Sequence, residues 1–401
     1  MSKTPDWTQM PFWSLYKRGK KVGYPTEELL SVYRDHGVIR KSDRDDNWNR
    51  PGEDMSAYQL VEPGDLVLNK MKTWQGSLGV SAYRGIVSPA YFVYKPQTNH
   101  NSRFMHYALR SDHYIKFYAS ISKGVRPNQW DLQPEQLDVM SVNLPDLPSQ
   151  QRIADYLDRE TGEIDAMIKK MDELSRQLEV RRDAVWGTEF EAAIEAGSAV
   201  RLSLLIDSIA DGPFGSSLTS SHYSEDGARV IRLGNLGINA FRDDDKAFIP
   251  LAYAEKLSSH TVIPGDVVVA GLGDERMPLG RAAVLPDIGP AIVKADCYRV
   301  RPNELVRSSY LAWALSAPQS RDQFKLLSRG TTRARLNTKV VQEVRLPLIS
   351  AEQQDQLVER QALLTSKIDA MLAKVAALKS LLTERRAALI TDVVTGRKEV
   401  A

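Results

Sequence analysis

Four stretches of this chain, two of them counterparts, carry the side-chain types that suit nucleic acid. The run Asn69-Lys70-Met71-Lys72-Thr73-Trp74-Gln75-Gly76 follows an apolar segment, Leu66-Val67-Leu68. Ammonium groups at Lys70 and Lys72 suit phosphates, Thr73 adds a hydroxyl, Trp74 an aromatic face, and the Gln75 amide matches an adenine edge. A solvated hairpin tip over a core tryptophan accounts for the same residues. A second stretch, residues 122–130, offers Lys123, Arg126, Asn128 and Gln129. Its counterpart, residues 328–335, offers Arg329, Thr331, Thr332, Arg333 and Arg335. In both, a glycine and a nearby basic residue precede a Leu-Pro pair. The fourth stretch, Asp211-Gly212-Pro213-Phe214-Gly215-Ser216-Ser217, is a tight turn. Its N–H groups and the Ser216 and Ser217 hydroxyls suit a phosphate.

Catalytic chemistry is poorly represented. Ser88-Pro89-Ala90-Tyr91 misses the amino-methyltransferase signature at its third position and follows no glycine-rich cofactor loop, so it is expected to be the start of a strand. The chain has no Walker A loop, and therefore no expected ATP hydrolysis. Pro286-Asp287 lacks the acidic-x-Lys continuation of many nucleases. His100, His106 and His113 are not spaced as chelating pairs on a helical turn, and no metal is expected. The single cysteine, Cys297, reads as a core residue, which fits a reducing cytoplasm. No apolar run is long enough for a membrane span.

The elements that must position these stretches are duplicated. Val61-Glu62-Pro63-Gly64-Asp65-Leu66-Val67 recurs 201 residues later as Val262-Ile263-Pro264-Gly265-Asp266-Val267-Val268. Ile164-Asp165-Ala166-Met167 recurs 204 residues later as Ile368-Asp369-Ala370-Met371, and Arg181-Arg182 as Arg385-Arg386. One Pro-Gly-Asp is a common turn; the same turn twice, in order with a matched helix, marks an internal repeat.

Each repeat ends in a long helix. The first is expected from Ser149, as N-cap, to about Trp186, with residues 186–200 as a connector. The second is expected from Ser350 or Ala351 to Gly396. Leu157, Ile164, Met171, Leu178 and Val185 fall seven apart, with Met167 and Leu174 as intermediate seam positions. Ile368, Met371, Val375, Leu378, Leu382 and Leu389 repeat the stripe. The economical burial of two such stripes is an antiparallel coiled coil. A coil that merely dimerises the protein is the simpler alternative. Apolar positions off the seam, such as Ile168 and Leu381, leave room for partner helices.

The expected fold is therefore α/β (α+β), with a pseudo-two-fold internal repeat: two globular domains at residues 1–143 and 198–345, and long helices in 144–197 and 346–401. Strands are expected at Leu66-Val67-Leu68, Ile86-Val87, residues 91–94, Val230-Ile231, residues 267–269 and residues 291–293, and helices at 103–119 and 308–327. The loops differ between lobes: where the first has residues 70–76, the second has Ala270-Gly271-Leu272-Gly273-Asp274-Glu275-Arg276, with Arg276 its basic candidate. A formal net charge of +2 gives no bulk basic bias, but acidic helices can mask basic lobes.

This pattern resembles the specificity subunits of type I restriction–modification systems. The resemblance spans nearly the whole chain. It rests on the two Pro-Gly-Asp turns, the Asp-Gly-Pro-Phe-Gly-Ser turn at 211–216 and the Gly-Thr-Thr-Arg loop at 330–333. Leu-Pro followed by Gln-Gln at 150–151 and 353–354, and Val394-Thr395-Gly396, complete it. The first lobe departs from it, with Gly124-Val125-Arg126 in place of Gly-Thr-Thr-Arg and no Asp-Gly-Pro-Phe-Gly. The resemblance implies that each lobe is a target recognition domain for one half of an asymmetric, interrupted sequence in double-stranded DNA. It implies spacer helices that dock two modification (methyltransferase) subunits carrying S-adenosylmethionine. It also implies restriction subunits using ATP and Mg, with no cofactor and no catalysis in this chain. A coiled-coil adaptor whose lobes bind protein is the rival reading.

Overall fold

The computed structural model describes residues 7–44, 54–124, 130–274, 277–328 and 335–400. The chain divides into two compact units, Met1–Asp172 with Ala376–Ala401, and Glu173–Val375. Each contains one lobe and a stretch of both long helices.

The two lobes repeat one plan. In the first, strands Tyr16–Gly19, Tyr91–Pro96, Leu66–Asn69 and Leu78–Val80 lie side by side in that order as an antiparallel sheet. In the second, Ile206–Ala210, Cys297–Pro302, Val267–Ala270 and Ala282–Val284 do the same. The central strands are apolar throughout because both sheet faces are covered. Leu66 and Leu68 face one core with Phe104 and Met105, while Val67 faces another with Val32 and Val87. Val267 and Val269 likewise face Trp313, and Val268 and Ala270 face Val293 and Cys297. All six expected strands are present. Each lobe is closed by pairing its first and last strands, Thr8–Pro11 with Ser141–Leu144, and Ser198–Arg201 with Arg345–Leu348.

The repeated Pro-Gly-Asp turns are structural. Gly64 and Gly265 have φ of 93° and 91°, where a side chain would be strained. Asp65 and Asp266 are buried and accept the backbone N–H of Glu62 and Ile263. Their charges are met by Lys95 and by a bidentate Arg301.

Each expected helix over 103–119 and 308–327 is in fact two. Ser102–Leu109 and Asp112–Ile121 are separated at Ser111, whose hydroxyl bonds the Ala108 carbonyl. Ser308–Ser316 and Pro318–Leu327 are separated at Ala317, which Pro318 holds extended.

The long helices are Leu147–Ala196 and Ala351–Val394. The first outruns the expected limits at both ends. Its start is capped by Asp146, which accepts the Ser149 N–H, so Ser149 is not the cap. The expected connector is helical as far as Ala196, because Trp186, Phe190 and Ala193 pack into the core of the second lobe. Ser350 does cap the second helix, in a reciprocal box with Gln353.

The helices run antiparallel in each unit. In the first, Asp165 pairs with Arg386 and Asp172 with Lys379; in the second, Arg182 pairs with Asp369 and Glu189 with Arg360. The duplicated Ile-Asp-Ala-Met motif thus supplies one seam residue and one interhelical ion pair per copy. Leu157, Ile164, Leu178, Ile368, Val375 and Leu382 are buried, and Met171 and Leu389 half-buried. Met167, Leu174, Met371 and Leu378, expected in the seam, are exposed. The intermediate positions are instead Thr161, Ile168, Ser175, Thr365 and Leu372, four residues after each seven-spaced residue rather than three. Ile168 therefore belongs to the seam, whereas Leu381 is exposed. Among the described residues no helix is long and apolar enough to cross a membrane.

Candidate nucleic-acid interface

In each lobe one backbone hydrogen bond joins the end of a central strand to the segment that enters the last short helix. Lys70, just past the strand Leu66–Asn69, accepts the N–H of Leu132 at 3.0 Å. Gly271, just past Val267–Ala270, accepts that of Leu336 at 2.9 Å. The residue just past the central strand is thereby tied to Leu132 in one lobe and to Leu336 in the other.

The first-lobe loop is braced by its own hydrogen bonds. Asn69 accepts the N–H groups of Met71 and Lys72 through its side chain, and the Thr73 hydroxyl through its carbonyl. Thr73 is wholly buried, so it is a strut of the loop and not a DNA contact. The Trp74 indole donates to the Met71 carbonyl, and its ring lies 4.8 Å from that of Trp130. The Lys70 ammonium turns onto the Pro89 carbonyl and over the Phe92 ring, which Arg18 also covers. That placement is at odds with a phosphate role for Lys70. Lys72 and Lys123 are exposed, the latter in the short ladder Ser122–Lys123 with Asp131–Leu132. Gln75 is half-buried, its carbonyl oxygen held by Arg34 at 3.0 Å. Arg34, in the charged hairpin turn Arg34-Asp35-His36-Gly37, was missed by the sequence reading; that turn was its only signal.

In the second lobe, Asp211 binds the N–H groups of Gly212 and Asp296. Asp296 sits at φ 68°, unusual for a non-glycine residue. Its carboxylate takes Arg335 at 2.7 Å, and Arg335 covers the exposed ring of Phe214. Ser216 and Ser217 are exposed on the adjoining turn Gly215–Ser217. Burial pushes the Asp211 carboxyl above its usual range, yet it remains an acceptor occupying the turn's own N–H group. Asp211 thus occupies the Gly212 N–H of the expected phosphate cradle, while Ser216 and Ser217 stay exposed. Phe214, Asp296 and Lys294 (over the Tyr223 ring) join this edge without having been singled out. Arg126, Asn128, Gln129, Arg276, Arg329, Thr331, Thr332 and Arg333 lie outside the described residues.

The residues weighed for catalysis are dispersed. Ser88 to Ala90 form a turn before the strand Tyr91–Pro96. His100 bonds the Tyr16 hydroxyl, His106 bonds Val80 and Arg110, and His113 packs on Tyr114. Cys297 is wholly buried, and burial raises its thiol pKa, opposite to a nucleophile's need.

No family model matches the chain. It is 22% identical over 266 residues, 63% of this chain and 57% of the other, to the type I restriction enzyme EcoKI specificity subunit of Escherichia coli. The chain so spans little more than half the length of that relative. It is 23% identical over 373 residues, 86% of this chain and 82% of the other, to the type I restriction enzyme MjaVIII specificity subunit of Methanocaldococcus jannaschii. Among solved structures, a chain from a study of complex assembly and conformational transition of the type I R-M system superposes with a TM-score of 0.64 at 15% identity, over 99% of this chain and 100% of that one. Its repeated turns and helix starts and its curated relatives agree in what the chain is similar to, the specificity subunits of type I restriction–modification systems, and the solved structure shares its fold.

Proposed function

We propose that this chain is the DNA-specificity subunit of a type I restriction–modification complex, each lobe reading one half of an asymmetric bipartite site. One observation carries this reading: the lobes share strand order, turn chemistry and closing strands, yet differ at the loops tied to equivalent edges. Sameness of scaffold with difference of loop suits two unlike half-sites. The long helices fix the spacing and dock two modification subunits. The exposed Met167, Leu174, Met371, Leu378 and Leu381 offer them apolar surface. Adenine methylation with S-adenosylmethionine, and ATP- and Mg-dependent cleavage, belong to the modification and restriction subunits, and this chain is non-catalytic, working in the cytoplasm.

Methylome sequencing of cells with and without the gene tests the reading. One bipartite adenine motif should vanish with the gene; an unchanged methylome would sink it. An adaptor whose lobes bind protein would instead show a flat salt dependence for DNA in the assembled complex, whereas phosphate contacts give a steep one.

A further inference from the structure

Gln75 closes the turn Thr73–Gln75, one residue before Gly76 at φ 92°. Arg34 donates through Nη2 to Gln75 Oε1. A guanidinium only donates, so the amide must present its oxygen to Arg34. Arg34 is itself held from behind. Its carbonyl accepts Nη2 of Arg110 at 2.6 Å, and Nη1 of Arg110 donates to Nε2 of His106 at 2.7 Å. His106 Nδ1 lies 3.3 Å from the Val80 carbonyl, so the ring hydrogen resides on Nδ1. The Arg34 stem also runs over Gly76, where a Cβ would lie 3.7 Å from Arg34 Cγ. The amide therefore has one orientation. Its Nε2 has no acceptor among the described residues.

We propose that Gln75, oriented by Arg34, reads one base pair of the first half-site as a hydrogen-bond donor through Nε2. This rests on the DNA-reading function proposed above. An unrestrained glutamine brackets adenine by accepting from N6 and donating to N7. Arg34 occupies one of the two lone pairs of that oxygen and sets its cation beside it, which disfavours the partly positive N6 amino group as a second donor there. The NH2 group fits an acceptor in the major groove: purine N7, guanine O6 or thymine O4. Arg34 is a positioning residue, and Gln75 the specificity determinant.

The test uses the full chain assembled with its methyltransferase partner, on the bipartite duplex that methylome sequencing identifies. Each first-half-site base is changed singly: 7-deazapurines remove N7, 6-thioguanine and 4-thiothymine weaken O6 and O4, and purine in place of adenine removes N6. One acceptor change should weaken wild-type binding about tenfold, and removal of N6 at that pair should not. Gln75→Glu keeps the Arg34 contact but has no donor, so it should erase that sensitivity while second-half-site selectivity stays. Arg34→Ala should release the amide and make the same pair sensitive to its amino group, adenine N6 in an A·T pair or cytosine N4 in a G·C pair; Arg34→Lys, which still donates to Oε1, should restore the wild-type pattern. The proposal is overturned if Gln75→Glu alters no first-half-site preference, or if it abolishes a wild-type dependence on adenine N6. If the wild-type complex prefers no bipartite duplex at all, DNA reading itself fails, a result distinct from either of these.

Discussion

Gln354 accepts the backbone N–H of Arg307 at 2.8 Å, the N-cap of the helix Ser308–Ser316. Its amide also donates to the carbonyls of Leu305 and Ile349. Gln150 repeats this in the other lobe, accepting from Asn101 and donating to Pro145. The buried glutamine of each Gln-Gln pair is thus a clip between a long helix and its lobe. Gln354→Leu keeps the volume but strands one N–H and two carbonyls. It should cost roughly 1–3 kcal/mol. Urea unfolding of the full chain measures this, and an unchanged midpoint would show that the clip is dispensable.

The helix seam makes a paired prediction. Val375 is buried, and Val375→Asp places an unpaired charge there, so stability should fall by about 3 kcal/mol. Met371 lies on the exposed stripe, and Met371→Asp should change stability by less than about 0.5 kcal/mol. The same Met371→Asp should weaken capture of the methyltransferase subunit, read by co-purification. Equal thermal losses in both variants would return Met371 to the seam.

These cases show which features were legible in the sequence. The Pro-Gly-Asp turns, the Gln-Gln pairs and the Ile-Asp-Ala-Met motifs each act within a few residues or at matched points of two helices, so duplication exposed them. The seven-residue spacing was legible too, but not its second stripe. Met167 and Leu174 look apolar, while the true intermediate positions include Thr161 and Ser175. Only the facing helix decides between three and four residues onward. Loop chemistry was hidden for a related reason. The ammonium of Lys70 is claimed by a carbonyl nineteen residues away, and the amide of Gln75 by an arginine forty-one residues away.

The two lysines of that loop should therefore behave differently. Lys72 is exposed and fits the diffuse contact with phosphate. Lys72→Ala should weaken binding to all sequences alike and reduce the salt slope by about one. Lys70→Ala should leave the slope unchanged, because that ammonium caps Pro89. Binding isotherms over a salt series separate them; a reduced slope for Lys70→Ala would place its charge on the DNA.

The group that orients Arg34 from behind also sets a pH dependence. Burial first, and the Arg110 cation second, hold His106 down to about 3 against an ordinary 6.5. The ring is packed so closely that a Cβ on Gly37 would meet it at 2.6 Å. The folded chain therefore keeps His106 neutral where the unfolded chain takes up a proton. Its contribution is complete above pH 6.5 and is lost as pH falls toward 3, at up to about 1.4 kcal/mol per pH unit. His100, lowered to about 4 by burial, acts in the same direction. His106→Gln retains a donor and an acceptor but does not titrate. Its stability should fall less steeply between pH 6.5 and 4.5 than that of the wild type, by up to about one proton's worth of slope, with His100 common to both. Urea midpoints at pH 4.5, 5.5 and 6.5 give the two slopes. Parallel slopes would mean that His106 is protonated in the fold, and that Arg110 does not donate to it.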